Sequence, residues 1–165
     1  MTPQASSGVI SFKAFASSED VAFMRLAIEE AMKAFECGEV PVGAIVVCDG
    51  KVIAKAHNMR ERLKSPLAHA EMLAMEAAAS ALGDWRLNGA TLYVTLEPCP
   101  MCAGAMIQAR LGRLVFGAYD ERAGAAGSVI NLFGLSAYDG IVAVVGGVLS
   151  EECANLLRRF FEQRR

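Results

Sequence analysis

Residues 91–109 read TLYVTLEPCPMCAGAMIQA, and this stretch organises the rest of the chain. Its first five residues are β-branched, aromatic or apolar, which predicts a strand over residues 91–95. The Ala- and Met-rich run that follows predicts a helix over residues 99–109, whose opening turn carries Cys99 and Cys102. A helix N-terminus has a positive potential that favours thiolate over thiol, so both sulfurs are candidate metal ligands.

A second motif, His69-Ala70-Glu71, lies upstream at the start of a segment over residues 68–82 with helical character. One imidazole and two thiolates can hold a zinc ion and leave its fourth position to water. A carboxylate two residues from the histidine can accept a proton from that water. His-x-Glu followed by Pro-Cys-x-x-Cys is the signature of zinc nucleobase deaminases. The two motifs together therefore predict a hydrolytic zinc site formed by His69, Cys99 and Cys102.

Each motif alone is compatible with other roles. A single CxxC pair is more often a structural zinc knuckle or a redox pair, and a single histidine is more often packed than metal-bound. A purely structural zinc module needs a fourth protein ligand. Cys37, Cys48 and Cys153 do not form a second CxxC, and such a module gives Glu71 no role. A non-catalytic zinc-binding module therefore remains only as an alternative.

The patterns on both sides of these motifs alternate between helix and strand. Asp49-Gly50 separates two β-prone runs and predicts a hairpin, which makes that pair antiparallel. The alternation predicts a three-layer α/β/α sandwich with a central mixed five-stranded sheet and with ligands at the strand ends. The predicted helices span residues 18–37, 68–82, 99–109 and 151–163, and the predicted strands span residues 42–48, 52–56, 91–95, 113–117 and 141–145.

Length and composition indicate one globular unit. The chain has 165 residues, of which 54% are hydrophobic, enough for one well-buried core. We expect residues 1–17, which are Ser-rich and weakly patterned, to be a mobile extension before a zinc-dependent deaminase domain over residues 18–165. The apolar run over residues 141–149 is too short to cross a bilayer and predicts a buried strand. Five cysteines without disulfide spacing, and no signal-peptide pattern, favour the cytoplasm.

The formal net charge of −2 does not by itself indicate a nucleic-acid-binding protein, because phosphate binding depends on clustered lysine and arginine. Two local clusters are candidates for phosphate contacts. The cluster that precedes the histidine motif consists of Arg60, Arg62 and Lys64. The C-terminal cluster can also stabilise the end of a helix dipole. Its members are Arg158, Arg159, Arg164 and Arg165.

Other segments extend the pattern beyond the metal motifs. They are the run Glu39-Val40-Pro41-Val42-Gly43-Ala44, the loop Gly124-Ala125-Ala126-Gly127-Ser128, and an ending that contains Phe160-Phe161 and Arg164-Arg165. Together with the two metal motifs, they resemble the bacterial tRNA-specific adenosine deaminases, a family of the cytidine deaminase-like superfamily. The metal motifs select only the superfamily, whereas the loop and the C-terminal pattern favour the tRNA enzymes. The resemblance runs from about residue 19 to the C-terminus.

The resemblance implies a zinc-dependent hydrolase that converts adenosine to inosine at the wobble position of a tRNA anticodon. It places the zinc ligands on His69, Cys99 and Cys102, the proton shuttle on Glu71 and a base-contacting amide on Asn58. It further implies a homodimer with one zinc ion per subunit, an anticodon stem-loop as partner and no membrane contact. The remaining substrate contacts that it implies are Val40, Pro41, Ala118, Tyr119 and Asp120.

One stretch departs from the family pattern. Tyr138-Asp139-Gly140 stands where tRNA deaminases commonly carry a polar and basic run such as Asn-His-Arg. The change removes basic character near the expected RNA surface. It gives some support, with the near-neutral net charge, to the main alternative: a small-molecule deaminase of the same fold that acts on free guanine, cytosine or a nucleoside.

Overall fold

The structure of the protein, a computed structural model, describes residues 16–164. The expected mobile extension falls mostly on residues 1–15, outside the described residues. The helices are α1 (Ser18–Glu36), α2 (Arg60–Leu63), α3 (Ala70–Leu82), α4 (Pro100–Gln108) and α5 (Ser150–Glu162). The strands are β1 (Gly43–Cys48), β2 (Lys51–His57), β3 (Ala90–Leu96), β4 (Arg113–Ala118) and β5 (Ala143–Val145). A 3-10 turn at Leu132–Gly134 lies between β4 and β5.

The five strands form one mixed sheet in the order β2-β1-β3-β4-β5. The hairpin partners β1 and β2 are antiparallel, and β1 also pairs antiparallel with β3. β3, β4 and β5 are parallel to one another. The carboxyl ends of β2, β3 and β4 therefore meet the start of β1 at one edge of the sheet, as the pairs Gly43 with His57 and Leu96 with Ala118 show.

Helices cover both faces of the sheet, which confirms the predicted sandwich. One core contains Met24 of α1 and Cys153 of α5, packed on Ile45, Tyr93 and Val115 of three neighbouring strands. The other core lies on the opposite face and includes residues from α3 and α4. Alternate strand residues point to opposite faces, so one run of apolar residues fills both cores.

Local chemistry explains where the helices begin and end. α1 starts with a capping box of two reciprocal hydrogen bonds. The Ser17 hydroxyl accepts one from the Asp20 amide, and the Asp20 carboxylate accepts the other from the Ser17 amide. α3 ends at Gly83, which has a left-handed φ of 67°. α1 also approaches β1 so closely that a Cβ at Gly43 would clash with the helix backbone at Ala27.

The predicted buried strand over residues 141–149 is wrong in length and in burial. Only Ala143–Val145 pair with β4, and Ala143 is exposed because β5 is an edge strand. Gly147 and Leu149 both have positive φ, 84° and 54°, so the backbone turns and α5 begins. The sequence patterns also missed α2 and the 3-10 turn, since both are shorter than the window in which periodicity can be read.

Within residues 16–164, no helix combines the length and the apolar character that a membrane span requires.

Candidate active site

The His69, Cys99 and Cys102 side chains converge at the sheet edge where both α3 and α4 begin. His69 immediately precedes α3 as its N-cap residue, and Cys99 does the same for α4, so the expectation that both lie inside the first turn is off by one residue. His69 Nδ1 lies 3.6 Å from Cys99 Sγ and 3.4 Å from Cys102 Sγ. The three ligand atoms all lie within 4.8 Å of one another.

These distances fit a tetrahedral metal. Ordinary zinc–sulfur and zinc–nitrogen bond lengths place a sulfur and a nitrogen ligand about 3.6 Å apart. The donor set of two sulfurs and one imidazole nitrogen matches the ligand preference of zinc. The described residues therefore form a three-ligand group that could hold a metal ion.

The two thiols differ in their readiness to ionise. The hydrogen bond from Cys102 and the contact with the His69 ring together lower the pKa of the Cys99 thiol to about 4, against the effect of burial. The same hydrogen bond, together with burial, raises the pKa of Cys102. A lowered pKa at Cys99 favours the thiolate form, which is the form that binds a divalent metal.

Glu71 lies one residue into α3 and is 4% exposed. Burial raises the pKa of its carboxyl above the ordinary value, and the nearby His69 and the backbone only partly oppose the effect. Among residues 16–164, no lysine or arginine forms an ion pair with it. Glu71 is therefore a buried carboxyl whose affinity for a proton is raised, which suits a group that takes part in acid–base catalysis.

A cleft with about 590 Å³ of empty space, part of it open to solvent, lies directly over these residues. Of the predicted substrate contacts, Asn58, Val40 and Asp120 line it. The side chain of Asn58 is 7% exposed, and its amide donates to the Val40 carbonyl at 3.4 Å while its oxygen accepts the Arg60 amide at 3.2 Å. Asn58 thus connects two walls of the cleft as well as facing it.

The other three predicted contacts do not line this cleft. Pro41 is buried and lies in sequence between the cleft residue Val40 and β1, and Ala118 is buried at the end of β4. Tyr119 is 58% exposed, and its ring packs edge-on against Phe116. Tyr119 is therefore accessible to solvent but is not among the residues that line the cleft around Glu71.

Glu97 is the main site residue that the sequence reasoning missed. It is 2% exposed, lines the cleft and connects β3 to the thiol-bearing segment. Its carboxylate accepts the amides of Asp120, Ala126 and Ser128 and the Ser128 hydroxyl. Although burial raises it, these hydrogen bonds bring the pKa of Glu97 below the ordinary value. The available signal was its position, a carboxylate directly before Pro98-Cys99.

A second buried carboxylate holds the opposite wall. Glu39 accepts the amides of Glu61 at 2.9 Å and Arg62 at 3.4 Å, at the first turn of α2. This contact fixes the segment that carries the first basic cluster. The members of that cluster are all exposed: Arg60, Arg62 and Lys64.

The C-terminal cluster approaches the same region from α5. Arg164 donates to the Gly38 carbonyl at 2.6 Å and stacks over the Phe160 ring at 4.1 Å. Together with Phe161 and Arg60, Arg164 lines a groove that shares Val40 and Asn58 with the cleft. Arg158 and Arg159 are exposed on α5, and Arg165 lies outside the described residues.

Comparison with known proteins agrees with this geometry. The family of MafB19-like deaminases matches residues 18–165. A tRNA-specific adenosine deaminase of Bacillus subtilis (strain 168) is 51% identical over 148 residues, covering 90% of this chain and 92% of that protein. The chain belongs to the tRNA-specific adenosine deaminase family. This membership confirms the resemblance found in the sequence motifs.

Solved structures support the same assignment. A structure from a study of A-to-I editing by tRNA:A34 deaminases at the wobble position of transfer RNA matches with a TM-score of 0.79 and 44% identity, covering 82% of this deaminase and 98% of that chain. A guanine deaminase of Bacillus subtilis matches with a TM-score of 0.57 and 36% identity, over 59% of this deaminase and 63% of that chain. Of these two structures, the one from the tRNA:A34 deaminase study matches the larger share of this chain.

Proposed function

We propose that this protein hydrolyses adenosine at the wobble position of a tRNA anticodon to inosine and ammonia. The observation that carries the proposal is the buried Glu71 beside the convergent His69, Cys99 and Cys102, in a cleft that Asn58 lines. The similarity to tRNA-specific adenosine deaminases over nine-tenths of the chain supports the choice of substrate.

We further propose that the metal is zinc, one ion per chain. Zinc in such a site acts as a Lewis acid that makes water a better nucleophile near neutral pH. A closed structural site needs a fourth protein ligand. Cys48 lies at the far end of β1 and Cys153 lies in the core on the other face of the sheet, so neither supplies it.

Glu71 moves the protons in this scheme. It accepts a proton from the attacking water and delivers it to the ring nitrogen of adenine beside C6, where the water oxygen adds. It then transfers the second proton of the water to the departing amino group, which leaves as ammonia. The raised pKa of Glu71 supports this role, because it makes the carboxylate a stronger base for the proton of water than an exposed carboxylate is.

The walls of the cleft position the base. Asn58 can hydrogen-bond an edge of adenine, and Val40 provides an apolar surface against the ring. An unpaired loop nucleotide suits such a cleft, because extruding a base from a duplex costs a few kcal/mol. Basic residues beside the cleft can contact the flanking phosphates, so binding should weaken with salt. They are Arg60, Arg62, Lys64 and Arg164.

A homodimer is part of the proposal. Val129, Ile130 and Leu135 are large exposed hydrophobic residues in one short segment, and Trp85 is exposed beside an apolar groove between α3 and α4. Exposed apolar patches of this kind are typical of protein–protein contacts, and we infer that a second copy of the chain covers them. A cytoplasmic location fits the free thiols that the site needs and the tRNA substrate.

A small-molecule deaminase is the second candidate, favoured by the partial match to a guanine deaminase. The two functions can be separated in one experiment. The purified protein is incubated with an unmodified tRNA that has adenosine at the wobble position, and separately with guanine, cytosine and adenosine. We expect inosine in the RNA and one zinc ion per chain by elemental analysis. Ammonia from a free base, with no inosine in the RNA, would overturn the tRNA assignment.

A further inference from the structure

The loop after β4, residues 119–128, forms one wall of the cleft and donates four hydrogen bonds to Glu97. This pocket loop contributes Asp120 and Ala123 to the cleft lining. One carboxylate oxygen of Glu97 accepts the Asp120 amide at 3.0 Å, and the other accepts the amides of Ala126 at 3.0 Å and Ser128 at 3.1 Å. The Ser128 hydroxyl adds a fourth hydrogen bond.

The loop closes tightly around this carboxylate. A Cβ at Gly124 would collide with the Glu97 carboxylate and with the Asp120 carbonyl, so a residue without a side chain is needed there. The Ala125 amide also donates to the Pro98 carbonyl at 2.8 Å, next to the metal ligand Cys99. The pocket loop is therefore joined to the thiol-bearing segment through the Glu97 side chain and through the Pro98 carbonyl.

The contacts continue from Glu97 to the residues that face the cleft. Asp120, whose amide binds Glu97, accepts the amides of Arg122 at 3.0 Å and Ala123 at 3.2 Å through its own carboxylate. The Gly124 amide donates to the Asp120 carbonyl at 2.9 Å. The position of the Ala123 wall thus depends on Asp120, and the position of Asp120 depends on Glu97.

We propose that Glu97 is a positioning residue for the deamination reaction: it holds the pocket loop against the thiol-bearing segment, so that the Asp120 and Ala123 wall is in place before the RNA binds. The inference rests on the proposed function for its substrate. Glu97 does not touch the reacting atoms in this scheme. A preformed wall lowers the ordering cost of binding, which affects affinity for the substrate more than the chemical step.

Glu97→Gln tests the proposal. Glutamine has a single acceptor oxygen, so its amino group faces hydrogen-bond donors of the pocket loop whichever way it is turned. We expect the KM for an anticodon stem-loop with wobble adenosine to rise on the order of tenfold, with kcat near the wild-type value once saturating RNA has ordered the loop. Loss of fold alone would reduce the active fraction, and hence kcat, while leaving KM unchanged.

Two further variants sharpen the result. Glu121→Gln removes the same charge from an exposed residue of the same loop. Neutralising an acid near a polyanion should leave KM unchanged or lower it, which is opposite to the effect expected for Glu97→Gln. Ser128→Ala removes a single hydrogen-bonding side chain and should give an intermediate rise in KM. It carries the test if Glu97→Gln does not fold.

Hydrogen exchange provides a readout independent of activity. In Glu97→Gln the amides of Asp120, Ala126 and Ser128 should exchange faster, with amides of β3 unchanged. Unchanged loop exchange, or a fall in kcat at constant KM in a variant that is fully folded, overturns the proposal. If the wild-type protein produces no inosine, the proposed function fails, while the exchange measurement still decides whether Glu97 holds the loop.

Discussion

Asp20 and Glu71 are both buried carboxylates of this protein, but their surroundings give them opposite properties. Asp20 lies near the end of the sheet where β4 begins. Its carboxylate accepts hydrogen bonds from the two terminal guanidinium nitrogens of Arg113, each at 2.7 Å. It also accepts hydrogen bonds from the Tyr93 hydroxyl at 2.7 Å and the Ser17 amide at 3.1 Å. The hydrogen bonds from Arg113 keep the pKa of Asp20 far below its ordinary value.

Glu71 lies at the opposite edge and lacks such a partner among the described residues, so burial raises its pKa. The comparison shows how one functional group serves two purposes. A carboxylate with saturated hydrogen bonds and a bidentate arginine stays ionised and stabilises the fold. A carboxyl that is buried without a basic side chain retains a proton affinity useful for catalysis. Exchanging the two environments should exchange the two roles.

The largest expected effect is on turnover. Glu71→Gln keeps the size of the side chain but removes its basicity, so inosine formation should fall by at least about 10²- to 10⁴-fold. The free energy of unfolding should not decrease, because no buried ion pair is lost. Single-turnover assays measure inosine formation, and urea unfolding measures the free energy of unfolding. Elemental analysis measures whether zinc is retained. Normal turnover would refute the role of Glu71, and loss of zinc would indicate a structural one.

The next effect is on stability. Asp20→Asn leaves the Arg113 charge without its partner, and because Arg113 is 30% exposed we expect a cost of about 3 kcal/mol, at the low end of the cost of breaking a buried pair. The kcat of the folded fraction should stay near the wild-type value, since Asp20 is remote from the cleft. Urea unfolding near neutral pH measures the change.

Glu19→Gln is the matched control, because Glu19 is exposed and adjacent in sequence. It should change the free energy of unfolding by less than about 0.5 kcal/mol. If Asp20→Asn costs no more than this control, the contrast between the two carboxylates fails at the Asp20 side.

The pH dependence of the same pair of proteins separates charge from packing. Because the pKa of Asp20 is lower in the folded state, its contribution is fully present above the ordinary carboxyl pKa of about 4 and is lost as pH falls below that value. The stability difference between wild type and Asp20→Asn should therefore narrow in acid. Free energies of unfolding of both proteins, measured from neutral pH to below the ordinary carboxyl pKa, give this difference. A difference that stays constant would mean that packing, not charge, dominates.

Tyr93→Phe should have the smallest effect. It removes one hydrogen bond to Asp20 and leaves the Arg113 pair intact, so we expect a loss of about 1.5 kcal/mol in the free energy of unfolding. Chemical denaturation measures this loss, and the loss measured for Asp20→Asn under the same conditions is the reference for its size. A loss as large as that of Asp20→Asn would show that Tyr93, rather than Arg113, holds the carboxylate.

Local patterns predicted most of the fold. The apolar runs and the Asp49-Gly50 turn located four strands and four helices to within a few residues. They failed for β5, because the positive φ of Gly147 and Leu149 follows from the way the chain returns to start α5. They missed α2 because its 4 residues are too few for a periodicity to be read, and Glu39, more than twenty residues away, holds its first turn.

The candidate site shows the same division. His69, Glu71, Cys99 and Cys102 stand in motifs whose spacing follows from metal chemistry and helix geometry, so they could be named from the sequence. Glu97 could not, because its importance depends on contacts with residues 23 to 31 positions later in the chain.

The sequence by itself determined the kinds of ligand, the order of helices and strands and the family, because each depends on neighbouring residues or short spacings. Only the tertiary structure decided which buried carboxyl has a lowered pKa and which has a raised one. Asp20 and Arg113 are 93 positions apart, and the burial of Glu71 requires the whole sheet edge to assemble. The pKa of a group depends on the charges near it and on how far water is excluded from it, and long-range packing sets both.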